Sequence, residues 1–216
     1  MTDFERQYVH NVYETIAIPF DQTRFCYWNA VKNFLDELEP YSLVLDNGCG
    51  NGKYLNYRKD LCFTGNDMCL GLLEIAKKKA DVTRSNGISL PYKDNTFDAI
   101  ICIAVFHHLS DPVRRKQFIQ EMVRVLKPNG KLLVTVWAYE QPDNKRFKKW
   151  NVQTNGDAMI PWCDKKQNIL SQRYYHLFHK EELESYFKIP ELIIESCIYE
   201  FDNWCIILQK SKRYEV

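Results

Sequence analysis

The chain has 216 residues, 45% hydrophobic and 14% aromatic, enough to bury one sizeable core and short for two ordinary domains. Its 29 lysines and arginines nearly cancel 28 aspartates and glutamates, which excludes a molecule whose overall field gathers nucleic acid; RNA contact would have to come from local patches. No stretch approaches about 18 apolar residues, and the start MTDFERQYVH lacks a basic segment leading into an apolar one, so neither a membrane span nor a secretory leader is expected.

Residues 4–14 and 27–38 read as helices, the second because Trp28, Val31, Leu35 and Leu38 recur at helical spacing until Pro40. Leu43-Val44-Leu45 is a short buried strand running into Asp46 and three alternating glycines. Leu61 to Gly65 reads as a second strand, Leu70 to Lys79 as a helix, and Val82-Thr83-Arg84 as a third strand. Phe97 to Val105 is nearly all apolar, the composition of a central strand covered on both faces. Asp111-Pro112 then caps a helix whose Ile119, Met122, Val123 and Leu126 share one face until Lys127-Pro128-Asn129-Gly130 breaks it. Lys131 to Trp137 is the next strand. Residues 140–172 are polar and show no sustained period, and are expected to form an insertion or long loop outside the core. A helix at 180–187 and strands at 191–200 and 203–209 close the chain. The pattern predicts a single α/β domain over residues 1–216, with N-terminal helices in 1–40. Its fold would be a Rossmann-like doubly wound seven-stranded sheet, mostly parallel with an antiparallel terminal hairpin.

The eight cysteines form no C-x-x-C pair and no Cys/His cluster at metal-ligand spacing, so no metal site is expected. Several lie in apolar runs, where a thiol behaves as a small hydrophobe, and reduced cysteines fit a cytoplasmic protein, with a nuclear presence allowed.

In Asp46-Asn47-Gly48-Cys49-Gly50-Asn51-Gly52 the glycines let the backbone turn sharply and approach a ligand. Lys53 breaks the dinucleotide pattern, and the run instead resembles the D/E-x-G-x-G-x-G loop of methyltransferases, which lies against the methionine part of S-adenosylmethionine. Asp67, at the end of the second strand, is placed to accept both ribose hydroxyls. Asn86, Gly87 and Ile88 follow the third strand, where an amide can pair with adenine and an aliphatic side chain can cover its face. The expected cofactor set is Asp46, Gly48, Cys49, Gly50, Gly52, Asp67, Met68, Asn86, Gly87, Ile88 and Ala104. Three glycines between strand and helix also suit plain tight packing, and Asn86 beside Gly87 suits an ordinary turn.

Further segments narrow the reading: Tyr13-Glu14-Thr15-Ile16-Ala17, Thr23-Arg24-Phe25, DNGCGNGKYL (46–55), LPYKDNTFDAIICIAVFHHLS (90–110), RVLKPNGKLLVTVWAYEQ (124–141), IPW (160–162) and RYYHLF (173–178). Together they resemble the eukaryotic tRNA wobble-uridine carboxymethyl methyltransferase family, in its stand-alone form, over nearly the whole chain. The resemblance implies transfer of a methyl group to the carboxylate of 5-carboxymethyluridine in the anticodon loop, giving a methyl ester. It also implies a small zinc-binding activator protein pairing with an edge strand, for which Asp81 to Ser85 is the candidate; a short edge strand can equally be solvated. The sequence departs from the family at Pro19, where relatives carry His, at Cys26, where they carry a basic residue, and at Asn86, where they carry Asp.

A carboxylate attacking a sulfonium methyl is already ionised and needs positioning more than a base. Arg24 and Arg173 are the candidates for holding it bidentately, against readings as a surface ion pair and as a structural arginine ahead of a strand. Trp137, Trp162, Tyr174 and Tyr175 are candidates for stacking a splayed base, with core packing the alternative. His107, beside His108 at the carboxyl edge of the central strand, is a candidate donor to the substrate, and His176 is open between contact and support. Lys145, Arg146, Lys148, Lys149, Lys165 and Lys166 are candidate phosphate contacts or simply solvated. Two rivals stand beside this reading: a methyltransferase of small carboxylic acids or phenols, and a non-catalytic scaffold with a methyltransferase fold.

Overall fold

The computed structural model describes residues 2–23, 26–141, 150–164, 166 and 168–212. The apolar segment expected at the sheet centre lies there. Seven strands, β1 (Leu43–Asn47), β2 (Cys62–Asp67), β3 (Asp81–Arg84), β4 (Phe97–Ile103), β5 (Leu126–Trp137), β8 (Leu192–Glu200) and β9 (Asn203–Lys210), pair in the order β3-β2-β1-β4-β5-β9-β8. The first five run parallel; β9 adds antiparallel to β5, and β8 pairs antiparallel with β9 and so runs in the same direction as the first five. β5 begins earlier than expected: Leu126 already pairs with Phe97, and the ladder slips across Lys127-Pro128-Asn129-Gly130 before resuming at Lys131.

Strand alternation explains why β4 is apolar from Ala99 to Ile103. Ile100 and Cys102 pack with Leu132, Val134 and Ile206 under α5 (Pro112–Val125) and the C-terminal helix α6 (Lys180–Phe187). Ala99 and Ile101 face the other way, onto Val31, Phe34 and Leu35 of α3 (Asn29–Asp36). Both faces are covered, so neither can be polar. Asp111 caps α5 by accepting from Val113 N at 2.7 Å, with Pro112 in the first turn. Among the described residues no helix is long and apolar enough to cross a membrane.

The N-terminal helix runs on past residue 14: α1 (Asp3–Glu5), a π-turn (Arg6–His10) and α2 (Asn11–Asp21), with Pro19 inside its last turns. Two acids fasten it. Glu5 is buried and paired with Arg114 of α5 (Nη2 to Oε2 2.8 Å), and Glu14 accepts from Leu70 N and Gly71 N at 2.7 and 3.0 Å, capping α4 (Leu70–Ala76) from a different helix.

The expected loop at 140–172 is corrected in its second half: β6 (Asp157–Cys163) and β7 (Ile169–His176) form a separate two-stranded antiparallel sheet. Polar residues and Pro161 mask it in the sequence. A two-stranded ribbon has no second neighbour to pair with, so it tolerates a proline that a central strand would not. Its alternation divides the RYYH segment. Tyr174 and His176 meet Asp157 (Tyr174 Oη to Oδ1 2.6 Å, His176 Nδ1 to Oδ1 2.7 Å), and His176 Nε2 reaches Glu182 of α6 at 2.8 Å. Arg173 and Tyr175 face the other way.

Burial alone would lower the His176 pKa, but hydrogen bonds to Asp157 and Glu182 outweigh it and raise the value above the ordinary one. A raised histidine stabilises the fold fully below its unfolded value near 6.5, and that contribution is lost as pH climbs through the raised folded value. His176→Gln should therefore cost on the order of 2 kcal/mol at pH 6 and much less at pH 9, read from denaturant unfolding. A loss of equal size at both pH values would show that packing, and not charge, holds the ribbon to α6.

Candidate functional site

At the carboxyl ends of β1, β2 and β4 a cavity of about 540 Å³ opens under the N-terminal helix. Its floor is the glycine loop, where Gly48, Gly50 and Gly52 all have positive φ, at 89°, 52° and 70°. The glycines differ in what they permit. A Cβ on Gly48 would fall 2.3 Å from Val105 Cγ2, whereas one on Gly50 would meet nothing nearer than Leu72 Cδ1 at 3.8 Å, so Gly50 leaves room beside the cavity. A Cβ on Gly52 would strike Ala76 of α4 at 2.9 Å, and Gly52 therefore serves close loop–helix packing and does not line the cavity.

Two acids sit at this end. Asp67 accepts from Gly50 N (2.9 Å) and Cys69 N (2.8 Å), one on each carboxylate oxygen, which fixes the side chain against the loop. Burial still raises its pKa despite those amides. Asp46 is pushed up to about 8 by burial and then by the charge of Asp67. A buried acid beside a half-buried one favours a cationic or hydroxyl-bearing ligand. Nearby, Asn47 Nδ2, Asn66 Oδ1 and Ser85 Oγ are buried polar atoms of cavity-lining residues with no partner. Such orphans fit a polar ligand supplying what the protein does not.

The other end is built by β7 and the turn after β4. Arg173 is 5% exposed, and its guanidinium lies 5.0 Å from the Trp162 ring and 5.3 Å from the Tyr175 ring. Its Nε and Nη1 have no hydrogen-bond partner, and no carboxylate among the described residues forms an ion pair with it. Burial would lower its pKa, but the hydroxyls of Tyr175 and Tyr13 raise it, so it stays charged. Tyr175 lines the cavity in front of it.

The two histidines are both neutral. His108 Nδ1 meets the Tyr174 carbonyl at 2.9 Å and must donate to it, so Nε2 accepts from Tyr13 Oη at 3.0 Å; Tyr175 Oη is 3.3 Å from Tyr13 Oη. Burial pushes the His108 pKa down to about 3. Burial also holds His107 well below its usual range; its Nδ1 accepts from Trp137 N at 3.1 Å, which leaves the ring proton on Nε2, buried and unpartnered. His107 stacks on Tyr175 at 4.6 Å. Neither imidazole offers a free acceptor nitrogen.

Of the residues expected to hold the cofactor, Asp46, Gly48, Cys49, Gly50, Asp67, Met68, Asn86, Gly87 and Ala104 line the cavity. Ile88 packs instead against the core beneath α5, and Asn86 Oδ1 accepts from Ile88 N at 3.2 Å in a local turn. On the substrate side, Trp137 and Tyr175 line the cavity, Trp162 and His107 stand behind them, and Tyr174 and His176 turn away to Asp157. Arg173 lies within β7 and not ahead of a strand. Arg24, Lys145, Arg146, Lys148, Lys149 and Lys165 lie outside the described residues, and Lys166 is exposed. Tyr13 and His108 are the site residues least visible in the sequence, because their pairing spans 95 positions.

Residues 45–134 match the family model described as a methyltransferase domain. Over 97% of its length the chain is 37% identical to a tRNA (carboxymethyluridine(34)-5-O)-methyltransferase of Schizosaccharomyces pombe, of which it covers 99%. It is 33% identical over 95% of its length to the Xenopus tropicalis protein of that name, of which it covers 41%. Among solved structures it resembles a SAM-dependent methyltransferase of Methanosarcina mazei (TM-score 0.72, 21% identity, 87% of this chain and 99% of that one). It also resembles a Haloferax volcanii complex of the Trm112 methyltransferase activator with a putative methyltransferase (TM-score 0.71, 14% identity, 96% and 100%).

Asp46 supplies a test of the loop end. A carboxyl whose pKa is raised on folding makes the ligand-free protein progressively less stable as pH rises from its unfolded value near 3.8 to about 8. Asp46→Asn should therefore raise the ligand-free melting temperature most at pH 8.5 and much less at pH 5. Equal melting temperatures at pH 8.5 would mean that Asp46 ionises without penalty.

Proposed function

We propose that this chain, which belongs to the tRNA (carboxymethyluridine(34)-5-O)-methyltransferase family, transfers a methyl group from S-adenosylmethionine to the carboxylate of 5-carboxymethyluridine at the wobble position of tRNA. The carrying observation is Arg173: a buried guanidinium, flanked by two rings and lacking a carboxylate among the described residues, is costly unless an anion completes it.

The residues at the loop end fit the cofactor. Asp67, held by two backbone amides, presents its carboxylate to ribose hydroxyls, and Asp46 and Asp67 together favour the positive charge of a sulfonium and an amino group. Gly50 keeps the loop free of a side chain where the methionine portion would lie. When bound, S-adenosylmethionine supplies an electrophilic methyl group.

At the opposite end the charges are reversed. Nε and Nη1 of Arg173 and the Nε2–H of His107 are donors without partners, suited to orienting a carboxylate. The histidine tautomers bear on the reaction class: with both His108 nitrogens engaged and His107 Nδ1 accepting from the backbone, neither ring can take a proton from substrate. A carboxylate nucleophile releases no proton, whereas a phenol would have to lose one. This favours the carboxylate over the phenol reading.

Strand β3 is an edge, paired only with β2 among the strands described, and its Asp81 and Arg84 are exposed. A fold neighbour was solved with its Trm112 activator. An activator adding a strand along Asp81–Arg84 would satisfy that edge. Arg84→Pro, which removes an N–H on the open side of the strand, should then abolish co-purification with the activator; undiminished co-purification would move the interface elsewhere.

The activity test is incubation with labelled S-adenosylmethionine and tRNA carrying 5-carboxymethyluridine, with and without an activator, followed by mass spectrometry of the nucleosides. The methyl ester is the expected product. Arg173→Met should lower kcat/KM for tRNA at least about a hundredfold while leaving cofactor affinity unchanged. Labelling of small carboxylic acids but not of tRNA would overturn the substrate reading.

A further inference from the structure

The turn joining β8 to β9 carries two consecutive non-glycine residues in left-handed conformation, Phe201 (φ 46°) and Asp202 (φ 62°). A two-residue hairpin of this kind ordinarily uses Asn-Gly, and a bulky aromatic there is strained. The turn is nevertheless tightly held. Asp202 O accepts from Ala138 N at 2.9 Å, Tyr199 Oη donates to Asp202 Oδ1 at 3.0 Å, and Asn203 Nδ2 donates to the Phe201 carbonyl. The preceding Glu200 caps α3 with both oxygens, accepting from Asn29 N and Ala30 N at 2.9 Å each. This rigid backbone sends the Phe201 ring into solvent, 72% exposed, at the cavity wall.

The same wall includes Trp28 and Lys53, the ammonium of Lys53 lying 5.7 Å from the Trp28 ring. Because Glu200 caps the helix that begins just after Trp28, the turn and this cation–ring pair are neighbours on one rim. An apolar ring, a cation and a second ring at a cavity mouth match a nucleotide passing over it, the base stacking and the phosphate meeting the ammonium. The proposed activator edge, β3, lies at the other end of the strand order from the β8–β9 pair.

Resting on the proposed function, we infer that Phe201 is a stacking platform for an anticodon-loop base adjacent to the target uridine, with Lys53 beside it for the intervening phosphate. A uridine entering the cavity must leave its stack, and Phe201 replaces part of the stacking that its neighbour loses. The occupant is an RNA base and not a protein side chain because the rim is continuous with the cavity that takes the uridine. The stacking role expected of Tyr174 falls away, since that ring is buried and its hydroxyl is bonded to Asp157.

The test compares Phe201→Gly, which suits the positive φ while removing the ring, with Phe201→Tyr. Each is assayed with activator if turnover requires it, on an anticodon stem-loop carrying 5-carboxymethyluridine. Phe201→Gly should raise KM for the RNA about tenfold, with kcat within about twofold and cofactor affinity unchanged; Phe201→Tyr should restore the wild-type KM. Independently of turnover, 2-aminopurine placed beside the target uridine should be quenched on binding wild type and Phe201→Tyr but not Phe201→Gly. Wild-type KM and unchanged quenching in Phe201→Gly would overturn the platform. Absence of methyl transfer by wild type, with quenching intact, would instead count against the catalytic reading alone.

Discussion

The site is organised around a charge that the described part of the protein does not neutralise. Removing an arginine from water costs several kcal/mol, and Arg173 recovers only part of this from the rings of Trp162 and Tyr175. Its position depends on the β6–β7 ribbon, whose alternation turns Arg173 and Tyr175 toward the cavity side while Tyr174 and His176 bind Asp157 and Glu182. The ribbon in turn is held to α6 through His176, whose two ring nitrogens meet Asp157 and Glu182. One face of a single short strand thus anchors, and the other presents the functional cation.

The loop end carries the opposite imbalance. Asp46 is buried and Asp67 half-buried, and the charge of Asp67 adds to the cost of ionising Asp46. The cavity has acids at one end and, at the other, Tyr175 on its wall with the Arg173 guanidinium 5.3 Å behind that ring, a polarity complementary to a cation and an anion held in line. Two neutral histidines lie on the arginine side, kept uncharged by burial beside that guanidinium. Their protons are fixed by Tyr13, Tyr174 and Trp137, so they orient and donate without acting as bases.

The N-terminal helix closes the arrangement. Glu5 ties it to Arg114, and Glu14 ties it to the start of α4, each acid reaching a helix far away in the chain. Tyr13, between those anchors, is thereby delivered to His108. The helix is a roof, and its own hydroxyl completes the hydrogen-bond chain below it.

Much of this was legible in the sequence, and the parts that were not share a cause. The parallel strands, the glycine loop and Asp67 follow from local patterns: an apolar run, glycines where φ must be positive, and an acid at a strand end. Loop and acid meet because adjacent parallel strands put their carboxyl ends together. The β6–β7 ribbon was missed because a half-exposed pair of strands has no apolar run, and Pro161 argued against it. The tautomers of His107 and His108, the missing partner of Arg173 and the exposure of Phe201 depend on groups from different elements meeting in space. Sequence by itself determined the scaffold and which residue types were available, since backbone preference and burial period are local. Tertiary structure alone decided which of those side chains were neutral, which charge was left uncompensated and which ring faced water, because desolvation and hydrogen-bond partners are supplied by residues distant in the chain.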